Sequence, residues 1–531
     1  METSTIPALL HRNAARWSEA IAVVDGPVTL THSQLLAEAQ RAAGGYLDRG
    51  VAPGDRVAIW LPNTAEFIIA LLGAHLIGVV PVPLNTRYRG AEVCAILQRS
   101  RAKLVMLADG FLETNYSAML NEACGGKATE PDGPLPSLTT LVDIRSQGNE
   151  KTLSWSEFRA GAARRPPSDV AAFTAQVKAD TLSDILFTSG TTGNPKGVMS
   201  THAQTTGVAA AWAAGAELAA DDRYATVNPY FHAFGYKAGI IAALSAACTI
   251  YPVAKFEPTE LLQLIDEHQI TVLPGVPTLF ISLINHRDLA FYNLDSLRFS
   301  IAGAASVPPS LFRDMRTTLG INTVAQAYGL TECVVATQSR PNEAPEHIAA
   351  TTGPAIPGIE IRIVNSDGVE QRTGHDGEIL LRGSYVMVGY FEDEAATKTA
   401  IDTDGWLHTG DVGHLDMHGC LTITDRLKDM YTAGGFNVYP AEVENVLHEH
   451  PDVRDCAVVG IDDPRLGSVG KAWIVTEPTS TATEDAIAAW CRARLANYKV
   501  PRDIEFVDDL PRNPSGKIHK RQLREQQSST K

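Results

Sequence analysis

A chain of 531 residues is longer than one apolar core usually serves, so at least two domains are expected, with 44% hydrophobic and 20% charged residues placing it among ordinary soluble enzymes. A formal net charge of −16 excludes broad binding to nucleic acid or an anionic membrane, which needs basic surface to displace counterions. Seven scattered cysteines with no C-x-x-C pair indicate reduced thiols, a cytoplasmic home and no zinc site. The opening METSTIPALLHRNAARW reads as no signal peptide, and no run is long enough for a membrane span.

Along the first 180 or so residues, helical and strand patterns alternate, as in an α/β layer architecture. Helix spacing covers Pro7 to Trp17, Thr31 to Arg49 and Ala65 to Ile77; Val57 to Leu61 and Leu104 to Leu107 read as buried strands. Residues Gly125 to Pro136 form a loop by composition. A strand at Ser183 to Phe187 leads into Thr188-Ser189-Gly190-Thr191-Thr192-Gly193-Asn194-Pro195-Lys196-Gly197. Hydroxyls, glycines without Cβ and a lysine are the chemistry of a phosphate cradle; by itself such a cluster reads equally as a polar surface loop. Its spacing is neither the Walker pattern nor G-x-G-x-x-G.

Further on, an alanine-rich helix is expected through Ala220, with strands at Tyr224 to Val227, Thr271 to Leu273 and Phe299 to Ile301, and a helix at Thr259 to His268. From Pro354 short strands with turn signals (Glu360 to Val364, Glu378 to Arg382, Leu421 to Thr424) suggest an antiparallel, barrel-like piece. Charged residues Asp425 to Asp429 read as a connector, and the remainder as a small α+β domain of about 100 residues. The expected division is 1–425, a hinge at 426–430, and 431–531.

Five motifs, TSGTTGNPKG (188–197), YGLTE (328–332), DGWLHTGD (404–411), DRLKDMYTAGGFNVYPAEVE (425–444) and LPRNPSGK (510–517), stand in the order and at the separations seen in adenylate-forming enzymes. The chain resembles that superfamily, which includes acyl-CoA synthetases, coumarate:CoA ligases and luciferase, over nearly its full length. Its narrower likeness is to bacterial CoA ligases for bulky ring-bearing acids such as the steroid-derived indanedione-propanoate.

The resemblance implies a fold of two α/β layered subdomains plus the antiparallel piece, with a small mobile C-terminal α+β domain. It implies that a carboxylate attacks the α-phosphorus of ATP to give acyl-AMP and pyrophosphate, and that a thiol then displaces AMP. Thr188, Ser189, Gly190, Thr191, Thr192 and Lys196 would hold the β- and γ-phosphates, Thr331 the α-phosphate, and Glu332 a Mg²⁺ ion. Tyr328 would stack on adenine against a wall of Gly303, Ala304 and Ala305, where AGAAS (302–306) departs slightly from the family pattern. Asp411 and Arg426 would hold the ribose. Lys517 would bridge the acid and the α-phosphate; from composition alone it belongs equally to a solvated basic tail.

His232 would gate the carboxylate, with Phe234, Gly235, Gly239, Gly275 and Val276 around the acyl group. The absence of an aspartate near His232 implies an acid without an α-amino group. Lys428 would be the hinge residue, and Gly434, Gly435 and Phe436 would line the way for pantetheine of CoA. Left open are an acyl carrier protein as acceptor, a medium- or long-chain fatty acid as substrate, and a monomeric or homodimeric state.

Overall fold

The computed structural model describes residues 4–148, 151–189, 195–303, 309–341, 343–365, 367–426, 431–438, 440–477, 480–511, 518, 520 and 522–524. Five parallel strands, in the order Val80–Pro83, Arg56–Trp60, Leu104–Leu107, Thr140–Asp143, Leu153–Ser154, make the first sheet. Both faces of such a sheet are covered, so its strands are apolar throughout: all four residues of Leu104–Leu107 are buried. Helix Ala65–Leu76 packs between this sheet and helix His32–Asp48, and every residue except Glu66 is buried. Its start is fixed by Thr64, whose hydroxyl accepts the Phe67 N–H.

A second sheet begins with Val28–Thr31, Ile21–Asp25, Thr249–Pro252 and Arg223–Thr226. It continues through Val272, which bridges Tyr224 on one side and Phe299 on the other. Phe299–Ala302 and Thr323–Leu330 extend it in parallel, and Cys333–Gln338 returns antiparallel. The expected strand at Thr271 to Leu273 is therefore reduced to isolated bridges, at Val272 and again at Gly275 beside Ala302, with Pro274, lacking an N–H, between them. The alanine-rich helix is His202–Gly215 and ends short of Ala220, where Leu218 turns back to donate its N–H to Ala213 O.

The strand at 183–187 is one arm of a hairpin, Leu182–Ser189 with Pro195–Thr201, to which Gly389–Tyr390 adds a third strand. The antiparallel piece is a four-stranded sheet ordered Ile359–Val364, Gly377–Gly383, Leu407–Leu415, Leu421–Arg426. Asp425 and Arg426 belong to its last strand and not to a solvated connector, because each pairs with the strand carrying Asp411. Beyond it, five strands (Phe436–Val438, Tyr431–Ala433, Gly467–Thr476, Val453–Asp463, Asp503–Phe506) and helices Pro440–His448 and Glu484–Arg494 surround an apolar core of their own. Residues 427–430, which include the expected hinge Lys428, lie outside the described residues.

Candidate active site

The hairpin, the Tyr328–Glu332 segment and the Asp411 strand meet at one place. Thr188 and Lys196 face each other across the hairpin in register. The Lys196 ammonium lies 4.8 Å from the centre of the Tyr390 ring, a cation–π arrangement. The Tyr390 hydroxyl donates to Glu332 Oε1 at 2.7 Å, and Met387 N–H donates to the Glu332 carbonyl at 2.8 Å. One side chain, Tyr390, thus joins the lysine of the hairpin to the carboxylate of YGLTE.

Glu332 follows a bulge in the pairing of Thr323–Leu330 with Cys333–Gln338. Only glycine fits that bulge: a Cβ on Gly329 would lie 2.0 Å from the Val334 carbonyl oxygen. The bulge also sets Tyr328, whose buried hydroxyl donates to Asp411 Oδ2 at 2.7 Å. Asp411 is paired with Arg426 on the next strand. The expected base-stacking and ribose-binding positions are therefore coupled by a direct hydrogen bond.

Gly303 and Gly275 stand side by side, Gly303 N–H donating to Gly275 O at 3.2 Å and Gly275 N–H to Ile301 O at 2.9 Å. A Cβ on Gly303 would meet nothing closer than 3.8 Å, and one on Gly239 nothing closer than 3.6 Å, so either position could carry a small side chain without strain. Gly235 does not: its Cβ would lie 2.2 Å from the Pro229 carbonyl, so its bareness serves the turn and adds no pocket volume.

His232 reaches solvent yet is densely surrounded by protein, as for a ring facing into a concavity, and desolvation lowers its pKa, so the imidazole is neutral at physiological pH. Its Nδ1 accepts the Phe234 N–H at 3.3 Å, which leaves the proton on Nε2 as a donor.

The C-terminal unit reaches this site through a glycine turn. Gly434 and Gly435 have φ of +58° and +83°, and a Cβ on Gly435 would come within 3.1 Å of Val276 Cγ1. Phe436 stacks on Tyr498 with centroids 4.5 Å apart, and the Arg87 guanidinium sits 5.5 Å over the Phe436 ring. Gly190, Thr191, Thr192, Ala304, Ala305, Lys428, Lys517 and the side chains of Ser189 and Arg426 lie outside the described residues.

Residues not anticipated from the sequence are Tyr390 and, in the C-terminal unit, Tyr498 and Lys499. A cavity of about 830 Å³ lies elsewhere, between the alanine face of His202–Gly215, Gln338 and Tyr385; it shares none of these site residues.

The AMP-binding enzyme family pattern matches residues 10–391, and that of the AMP-binding enzyme C-terminal domain residues 442–517. This chain belongs to the AMP-binding enzyme family. It is 45% identical to the 3-[(3aS,4S,7aS)-7a-methyl-1,5-dioxo-octahydro-1H-inden-4-yl]propanoyl:CoA ligase of Rhodococcus jostii, over 99% of each chain. It is also 45% identical to the enzyme of the same name from Mycobacterium tuberculosis, over 98% of each.

Among solved structures it is similar to o-succinylbenzoate CoA synthetase of Bacillus subtilis bound with a product analogue, with TM-score 0.83, 29% identity and 97% of each chain covered. The protein is an ATP-dependent, AMP-forming acid–thiol ligase of the acyl-CoA synthetase class, working through an acyl-AMP. Among the described residues no helix is long and apolar enough to cross a membrane.

Proposed function

We propose that this ligase activates a bulky, cyclic or polycyclic carboxylic acid without an α-amino group, of the indanedione-propanoate kind, and passes the acyl group to CoA. The observation that carries the reading is the likeness, at 45% identity over nearly whole chains, to two ligases named for that acid. Two features of the site support it. The neutral His232, with its proton on Nε2, can donate a hydrogen bond to a carboxylate without pairing to an ammonium, and no acid stands among the proposed pocket residues. The bare Gly239, where a Cβ would stand 3.6 Å from its nearest neighbours, adds no side-chain volume beside a wide acyl group.

In this reading Lys196, held over Tyr390, and the hydroxyls of the hairpin receive the β- and γ-phosphates. Two anions must meet when the carboxylate attacks, so fixed donors and positive charge near the α-phosphate lower the barrier most. Thr331 and Lys517 would supply them. Glu332 suits a Mg²⁺ ion: Tyr390 fixes one of its oxygens, and among the described residues the other has no partner. When bound, the ion neutralises phosphate charge. Gly434 and Gly435, against Val276, would admit the pantetheine arm to the acyl carbonyl.

The test is acyl-thioester formation, read by mass, over a panel of bicyclic propanoates, aromatic acids, medium- and long-chain fatty acids and amino acids, each with CoA and with a carrier protein. We expect bicyclic propanoates with CoA to exceed straight-chain acids by ~10²-fold in kcat/KM. Preference for a fatty acid, or for the carrier protein, would replace this reading.

A further inference from the structure

Glu343 and His347 are four residues apart and Cys420 is more than seventy positions further on, yet each of the three places a ligand atom within 4.8 Å of the others. His347 lies on helix Pro345–Ala350, one turn after Glu343. Cys420 immediately precedes strand Leu421–Arg426, at the end of the turn begun by Asp416. That turn is rigid, because Asp416 Oδ1 accepts the N–H groups of His418 at 2.8 Å and Cys420 at 2.9 Å. The other Asp416 oxygen faces His347 Nε2 at 2.8 Å, while His347 Nδ1 faces Glu343 Oε2 at 3.1 Å. The His418 ring meets that of His347 edge-on at 5.9 Å.

We propose that Cys420 Sγ, His347 Nδ1 and Glu343 form a site for a zinc-like divalent cation, with Asp416 fixing the imidazole from behind through Nε2–H. A thiolate, an imidazole and one carboxylate are the donors that zinc takes, and they disfavour magnesium or calcium, which take oxygen. A carboxylate behind the distal nitrogen is the usual support for a zinc-bound histidine.

Tetrahedral bonds to zinc put ligand atoms about 3.5 Å apart, so the three atoms need close by little more than an ångström. Cys420 is the buried member of the three, Glu343 and His347 being half-buried.

The ion would act as a clamp and take no part in ligation. The helix it would grip accepts, at Ile348 O, the Gln326 side-chain amide at 2.9 Å, on the strand that leads to Tyr328. Its other side would hold the turn joining the Asp411 strand to the next. It would thus tie together the two strands bearing the Tyr328–Asp411 hydrogen bond.

The test is Co²⁺ and Zn²⁺ titration of the chelator-treated full chain. We expect one equivalent of Co²⁺ to bind with a near-ultraviolet thiolate-to-metal band, and Zn²⁺ to displace it while millimolar Mg²⁺ does not. Cys420→Ser should remove that band; His347→Gln should abolish stoichiometric binding; Asp416→Asn should weaken it ~10–100-fold. Zn²⁺ should raise the melting temperature of the native chain and of a Cys333→Ser control, but not of His347→Gln. Absence of stoichiometric binding, or binding unchanged in both Cys420→Ser and His347→Gln, overturns the proposal and leaves an ion-paired histidine beside an inert thiol. Carboxylate-dependent exchange of pyrophosphate into ATP serves as the check that each variant is folded.

Discussion

The C-terminal unit is held together internally by Val438, Val443, Leu447, Val458, Ile474, Ile487 and Leu495, all apolar and buried, whereas, the Gly435 turn against Val276 apart, its described contacts with the rest of the chain rest on charge, rings and hydroxyls. At that seam Lys499, only 1% exposed, donates to Glu92 Oε1 at 2.9 Å and to Glu442. The Tyr498 hydroxyl accepts from Asn85 at 2.8 Å, and the Tyr88 ring lies 4.5 Å from the Lys499 ammonium. Separating an apolar core exposes surface that water cannot satisfy; separating this seam returns ions and hydroxyls to a solvent that can. The contrast supports a unit that stays folded while its seat changes, as two half-reactions over one adenylate require.

Four experiments put this contrast at risk, the strongest first. Lys517→Ala should slow adenylation by ~10²-fold or more, read as pyrophosphate exchange, while a supplied acyl-AMP is still converted to thioester. Loss of both steps together would mean that the unit acts only in one seat. Lys499→Ala leaves two carboxylates unpaired in the seam and should weaken the seated arrangement by about 3 kcal/mol, roughly a hundredfold, with the internal core intact. Single-turnover thioester formation should fall and adenylation hold; equal rates in both steps would make the seam ornamental.

A smaller effect is expected from Lys428→Pro, which should slow thioester formation more than adenylation, because proline fixes a φ that a hinge must change. Smallest is a pH effect. Burial, the largest cause, pushes Glu92 up to about 7 against the pull of Lys499, while Lys499 itself is held above its ordinary value and stays charged. A carboxyl raised in the seated arrangement supports seating below its free pKa and withdraws that support as pH rises through about 7. Seating, followed by an inter-domain fluorescence pair, should therefore weaken between about pH 5 and 8, and Glu92→Gln should flatten the curve.

How much of this was legible in the chain depended on how local the cause was. Leu104–Leu107 and Ala65–Leu76 were, because burial on all sides writes an unbroken apolar run into a short window. The motif residues Thr188, Lys196, Tyr328, Glu332 and Asp411 could be named in advance, and they come together in the fold. Tyr390 could not: its role depends on two residues pairing with a hairpin nearly two hundred positions earlier. Lys499 was equally hidden, since a lysine near the end of a helical pattern is ordinarily solvated, and the carboxylates of Glu442 and of Glu92 from a distant helix make it otherwise. Gly235 misled in a simpler way, its missing side chain answering two backbone carbonyls and not a ligand.

All seven cysteines are buried, and burial raises the pKa of six of them. Cys333, the neighbour of Glu332 in the chain, is pushed up to about 12. An acyl-adenylate is a mixed anhydride that would acylate any thiolate within reach. A protein that makes one while keeping its own sulfur covered and protonated is spared self-labelling, and the incoming pantetheine is left as the sulfur nucleophile in contact with the activated carbonyl.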